Sequence, residues 1–257
     1  MFKISTESPT FDVVKWKLRL SDPWYQLVMK MLIQIAPDLS RKKILEVGCG
    51  IGGFSINAAS RDAEVVGVDV APKAINQAKN LAKQFGVHKK INFIIADAHY
   101  LPLKNDCMEI VICSETLEHV SDYKKAFSEL VRTTQNSGYL LLTVPNLLSS
   151  LFFEYIILRL LGQPLYVKRH VCVEKEDIFH VFKLRQLLNR GDLRVMKIRS
   201  TNFFHVPPTV KSTFKIFQNL QVISDRIEDF FEAHDLPLRL MGANLGVLVR
   251  KRNSFFS

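Results

Sequence analysis

Cysteine is scarce in this chain, four among 257 residues at positions Cys49, Cys107, Cys113 and Cys172. None forms a CxxC pair and none has a histidine at zinc-finger distance, which excludes a disulfide-stapled secreted scaffold and a small zinc fold. A long uncharged apolar run is also missing. The most apolar window, Leu147 to Val167, is broken by Glu154, Arg159, Gly162 and Pro164, short of the ~20 residues a spanning helix needs. The opening MFKISTESPTF has no uninterrupted apolar core behind its lone basic residue, so it does not read as a secretory signal. Internal repeats and low-complexity linkers are absent. These gaps lead us to expect a cytoplasmic protein with a reduced interior.

Apolar residues make up 47% of the sequence, enough for a chain of this size to bury a large core. The expectation is a single domain over 1–257, with a helical N-terminal cap at 1–40, a cofactor-binding core at 41–146, and an acceptor-side lid with the closing strands at 147–257. Charge is uneven. Basic residues number 35 against 25 acidic ones, a formal net charge of +10, and residues 151–257 carry 17 and 10 of them. The bias narrows to Arg159–Lys215, with 12 basic and 4 acidic side chains. A positive surface of this kind attracts anionic partners, and it also serves simply to keep a protein soluble.

From residue 41 short apolar runs alternate with amphipathic segments, the pattern of a doubly wound α/β sheet. The strand candidates are Lys43–Val47, Glu64–Val68, Ile91–Ala96, Glu109–Cys113 and Tyr139–Val144. Helix candidates are Gly52–Ala59, Pro72–Phe85 and Asp122–Asn136, with Pro72 at a first-turn position and Gly86 and Asn136-Ser137-Gly138 as terminators. Farther on, the pattern predicts an apolar helix over Leu147–Leu161, helices near Glu176–Asn189 and Thr213–Ala233, and strands at Leu193–Ser200 and Gly246–Arg250. The last strand suits an antiparallel sheet edge.

Four of the 11 glycines, Gly48, Gly50, Gly52 and Gly53, stand between the first strand and the first helix of this pattern. Glycine there permits a tight turn and lets a ligand approach the amides at a helix N-terminus. The spacing also satisfies GxGxxG, so a dinucleotide remains a rival ligand. Three carboxylates favour another one. Glu46, two residues before the first glycine, suits a cationic ligand group; Asp69 ends the second strand, where a carboxylate accepts from ribose hydroxyls; Asp97, followed by Ala98, ends the third and suits an exocyclic adenine amine. Together they describe an adenosine with a cationic amino-acid end.

With these residues the sequence resembles the class I S-adenosylmethionine-dependent methyltransferases, in particular the ubiquinone-biosynthesis O-methyltransferase type. The resemblance rests on ILEVGCGIGGFSI (44–56), VVGVDVAPKAINQAK (65–79), FIIADAHYLPLKND (93–106), EIVICSETLEHVSD (109–122) and GYLLLTVPN (138–146). It implies a seven-stranded, mostly parallel sheet with a reversed final strand. It also implies S-adenosylmethionine as cofactor, held by Glu46, Gly48, Cys49, Gly50, Gly52, Asp69, Val70, Asp97, Ala98 and Ser114.

On the acceptor side, Glu115, Glu118 and His119 stand at i, i+3 and i+4, so one helical turn puts them on a common face. Three readings stay open for this group: a divalent-metal site, with the Glu-x-x-Glu-His string similar to that of ubiquinone-pathway and small-RNA 2′-O-methyltransferases; a metal-free pocket in which His119 acts as base beside Glu118; or a structural role. Two more readings stay open for Leu147–Leu161, which is either a lid over the pocket or, with Lys168, Arg169 and His170, a peripheral membrane contact through 147–170. Trp16, Trp24 and Tyr25 either close the other side of the site or are core aromatics. The expected acceptor is a small molecule, hydrophobic, lipid-linked or anionic, methylated at oxygen or carbon. The alternatives are an RNA 2′-O-methyltransferase, disfavoured because no RNA-binding module is visible, and a non-catalytic membrane- or protein-binding module that keeps the fold.

Overall fold

The computed structural model describes Leu20, residues 22–146 and 179–201, Leu240, Gly242 and residues 244–253. The expectations for Trp16, Cys172, Leu147–Leu161, the 147–170 contact and the helix near Thr213–Ala233 lie outside those residues.

Seven strands form one sheet: β1 (Lys43–Val47), β2 (Glu64–Asp69), β3 (Ile91–Ile95), β4 (Met108–Ser114), β5 (Thr134–Pro145), β6 (Leu193–Thr201) and β7 (Asn244–Lys251). Their order is β3-β2-β1-β4-β5-β7-β6. The first five are mutually parallel, and β7 inserts antiparallel between β5 and β6. The architecture is that of the Rossmann-like methyltransferase fold, with its reversed final strand.

Alternate residues of the apolar strands feed two cores, one per face, as strands covered on both sides require. Ile44, Val65, Ile110, Ile112, Leu141 and Leu248 pack under α1 (Pro23–Ile35), α2 (Gly53–Ala59) and α3 (Pro72–Gln84). Leu45, Val47, Val111, Cys113, Leu142 and Val247 pack under α4 (Tyr123–Thr133) and α5 (Val181–Leu188). Pro23 and Pro72 occupy the first turns of α1 and α3, and Gly86 adopts φ 70° just beyond α3, the left-handed conformation that ends helices.

One boundary differs from expectation. The helix expected to run to Asn136 stops at Thr133, and Thr134 already belongs to β5. The Asn-Ser-Gly signal marks a bulge instead. Pairing jumps from Met108↔Thr134 to Ile110↔Tyr139, and Ser137 takes φ 62°. Gly138 fits because a Cβ there would lie 2.9 Å from the carbonyl oxygens of Gln135 and Glu109.

Candidate functional site

The carboxyl ends of β1, β2, β3 and β4 share one edge of the sheet, with the order reversing between β1 and β4. Open α/β sheets bind ligands at such a crevice. Gly48, Gly50 and Gly52 leave the tip of β1 with φ 70°, 52° and 82°, a run of left-handed residues that disfavours side chains. Asp69 at the end of β2 fixes this loop. Its Oδ2 accepts from the Gly50 amide at 2.8 Å and its Oδ1 from the Ala71 amide at 2.9 Å. The glycine loop and the carboxylate, predicted separately from the sequence, are thus one hydrogen-bonded unit.

Glu46 is buried, and its Oε2 accepts from the Ser55 amide at 2.7 Å and from the Ser55 hydroxyl. It braces the first turn of α2, where a negative charge also meets the helix dipole. Tyr25 stacks on Phe54 with ring centroids 4.3 Å apart and directs its hydroxyl at the Gly53 carbonyl. Burial, then the charge of Glu46, pushes that hydroxyl upward in pKa. Both Tyr25 and Trp24 pack against α2, so Tyr25 is a core aromatic supporting the loop from behind. The Cys49 thiol is raised by burial, then by Glu46 and Asp69, and Cys113 by burial, then Glu118. Both stay neutral fillers.

Asp97 stands at the tip of β3, with Ala98 half-buried after it. Its Oδ1 accepts from the His99 amide at 2.9 Å and meets His99 Nδ1 at 2.5 Å. The bond from the His99 amide, above all, holds the carboxyl below the ordinary range. His99 in turn accepts the Asp122 amide on Nε2 at 3.1 Å, which leaves Nδ1 as the protonated nitrogen and aims it at Asp97. Sequence reading passed over His99. Val70 and Ile95, at the tips of β2 and β3, are 69% and 52% exposed. Both are exposed apolar side chains, Val70 next to Asp69 in sequence and Ile95 opposite Asp69 in the strand register.

The expected helical face of Glu115, Glu118 and His119 does not form. Leu117–His119 is a single 3₁₀ turn, and Glu115 precedes it with φ 49°. Glu115 faces the reversed strand, its Oε2 accepting from Asn244 Nδ2 at 2.8 Å. Glu118 is buried while the His119 side chain is 56% exposed, with Nε2 3.8 Å from Glu118 Oε1. Among the described residues no three His, Cys, Asp or Glu side chains come together to hold a metal ion. The metal set Glu115, Glu118 and His119 is therefore not assembled, because the chain leaves β4 in a left-handed turn where the expectation required a helix.

A polar cluster lies beside it, in which Thr143, Asn146 and Asn244 join Ser114 and Glu115. Ser114 Oγ and Thr143 Oγ1 are 2.6 Å apart, and the Glu115 amide donates to Thr143 Oγ1 at 3.1 Å. Buried Asn146 donates to the carbonyls of Leu240 at 2.8 Å and Gly242 at 2.9 Å. Strand tips β4, β5 and β7 thereby present Ser114, Glu115, Thr143, Asn146 and Asn244 in one place.

Comparison with known proteins decides what this edge belongs to. A family profile described as a methyltransferase domain matches residues 38–191. The chain belongs to the methyltransferase-domain family. With it come the class I S-adenosylmethionine-dependent methyltransferases, whose fold this methyltransferase shares. It is 32% identical over 97 residues to norajmaline N-methyltransferase of Rauvolfia serpentina, a match covering 37% of this chain and 33% of that protein. Tocopherol O-methyltransferase of Arabidopsis thaliana is 35% identical over 102 residues, covering 39% and 29%. The chain thus spans about a third of the length of these curated relatives. Among solved structures, an S-adenosylmethionine-dependent methyltransferase of Mesorhizobium loti superposes with TM-score 0.60 at 15% identity, covering 90% of this chain and 99% of its own. One from Aquifex aeolicus gives 0.55 at 15%, covering 94% and 100%. At these identities the structures speak for the fold.

Proposed function

We propose that this methyltransferase transfers the methyl group of S-adenosylmethionine to a small hydrophobic acceptor, at oxygen or carbon. The observation that carries the reading is the unit formed by Asp69 and the glycine loop, with Oδ2 on the Gly50 amide. Residues at the edge fit the cofactor in kind. The glycine loop offers a surface free of side chains, Asp69 a carboxylate for the ribose, Asp97 one for the adenine amine, and Val70 and Ile95 apolar surface for the ring. Glu46, Cys49, Gly52, Ala98 and Ser114 complete the set. When bound, the sulfonium supplies an electrophilic methyl group.

The chain's own work is then alignment and exclusion of water, plus handling of one proton. In this proposal His119, exposed beside buried Glu118, is the base that takes a proton from a hydroxyl acceptor. Glu115, with Ser114 and Thr143, offers polar anchors on the acceptor side. Tocopherol O-methyltransferase, a relative named for oxygen transfer, supports this reading. A second reading, transfer to an amine nitrogen, is favoured by the two relatives named as N-methyltransferases, of norajmaline and of ajmaline. Membrane contact through 147–170 stays part of the proposal only as a route for a lipid-linked acceptor; no described helix is long and apolar enough to cross a bilayer.

Methyl transfer from radiolabelled donor to paired sets of hydrophobic phenols and tertiary-amine precursors tests this. Transfer to the phenols, with His119→Ala slowing it about 100-fold at unchanged donor affinity, is expected. Transfer to amines alone, insensitive to His119→Ala, would select the second reading. Transfer to RNA and to neither set would contradict both.

A further inference from the structure

Several cations on the described surface pair with carboxylates: Lys42 with Glu109, Lys90 with Asp62, Arg132 with Glu129 and Lys251 with Asp106. One open groove of about 690 Å³ instead gathers several arginines together. It lies between the last turn of α5, the start of β6 and the residue that follows β7, and Arg185, Arg190, Arg194 and Arg252 all line it. The neighbouring carboxylate, Asp192, is already engaged. Both of its oxygens accept from Arg190, at 3.0 Å each. That pair is internally neutral, and Arg185, Arg194 and Arg252 face the groove with no carboxylate partner among the described residues.

The carbonyl end of α5 accounts for one of the three, since Arg185 sits in the helix's last turn. Arg194 and Arg252 come from β6 and from the segment after β7, so helix electrostatics gives no reason for them. Like charges gathered in a concavity repel one another and focus a field that draws anions in. We propose that the groove is a phosphate-binding site, in which Arg185, Arg194 and Arg252 grip the phosphate of a small phosphorylated molecule or of a lipid headgroup. A guanidinium fork matches phosphate oxygens two at a time, and Gln186 and Asn189 add amide donors on the same wall. No aromatic side chain lines the groove. Nothing there stacks a base, and the phosphate itself is what the site recognises.

The site is separate from the methyl-donor edge. Strand β6 begins at this groove with Leu193 and ends with Thr201 opposite Asn244, roughly 25 Å away along the strand. It also gives a location to part of the basic excess of the C-terminal third.

Titration calorimetry of the whole chain with pyrophosphate, beside co-sedimentation with phosphatidylglycerol or phosphatidylcholine vesicles, tests the proposal. Expected is binding that weakens as salt rises and falls at least tenfold in R185Q/R194Q/R252Q, while that variant keeps its affinity for S-adenosylmethionine. Pyrophosphate binding identifies a soluble phosphorylated ligand, and selective sedimentation with phosphatidylglycerol alone identifies a headgroup. Asp192→Asn leaves every arginine in place and releases Arg190, so it should bind several-fold tighter. Absence of binding to either probe, binding that the triple variant preserves, or no tightening in Asp192→Asn would overturn the assignment.

Discussion

Thr116 leaves Gly48 no room for a side chain: a Cβ there would sit 2.2 Å from Thr116 Oγ1 and 2.8 Å from its Cβ, on a residue whose φ is 70°. Gly48→Ala should therefore destabilise the protein by about 2 kcal/mol or more, from backbone strain and overpacking together. Thr116→Ala in the same chain removes the two closest atoms and should recover part of that loss. Urea unfolding of the three variants checks this, and a Gly48→Ala midpoint equal to wild type would show the loop to be looser than described. The glycines were legible because their conformation is a local demand. His99 was not, since its role depends on Asp97 two residues away and on Asp122, which approaches only when β3 and β4 lie in the same sheet. Glu46 was read as a ligand group from its place near the glycines, and the structure adds a contact that spacing could not supply, the brace to Ser55.

At the scale of elements, α4 is fastened to the loop after β3 by a partly buried ion pair. Arg132 donates to both carboxylate oxygens of Glu129, at 2.6 and 2.7 Å, and to the carbonyls of Leu103 and Leu101 at 2.7 and 3.0 Å. Glu129 also accepts the Leu101 amide at 2.9 Å. The Arg132 guanidinium, before the other contacts, holds the Glu129 carboxyl below its ordinary range. A depressed folded-state value means the stabilisation is complete above the unfolded carboxyl's pKa of roughly 4.3 and is lost as pH falls through the lower folded value. Glu129→Gln should cost about 1–2 kcal/mol at neutral pH, and the gap to wild type should shrink as unfolding is measured at successively more acid pH. A gap that stays constant into the acid range would contradict this origin. Element boundaries were legible where apolar runs met Pro or Gly. The exception at Asn136-Ser137-Gly138 has a physical cause, because the same residues that end helices also make bulges, and only the partner strand decides between them.

Across the whole molecule, the strand succession of residues 41–146 was legible because each strand is apolar on both faces and each helix carries its own period. The acceptor side was not. Asn244 reaches Glu115 across 129 positions of sequence, and the arginines of the back groove come from three separate elements. The helical face expected for Glu115, Glu118 and His119 did not form for the same reason, since the local spacing was right for a helix and the strand exit chose a different backbone. What remains central is the identity of the ligand at the glycine loop, because GxGxxG spacing alone also fits a dinucleotide. Titration calorimetry of the purified chain with S-adenosylmethionine, S-adenosylhomocysteine and NAD, repeated on Asp69→Ala, tests it most directly. Binding of the first two and not of NAD, weakened about tenfold or more in Asp69→Ala, is the predicted result. Binding of NAD alone, or affinity for S-adenosylmethionine unchanged in Asp69→Ala, would contradict the account.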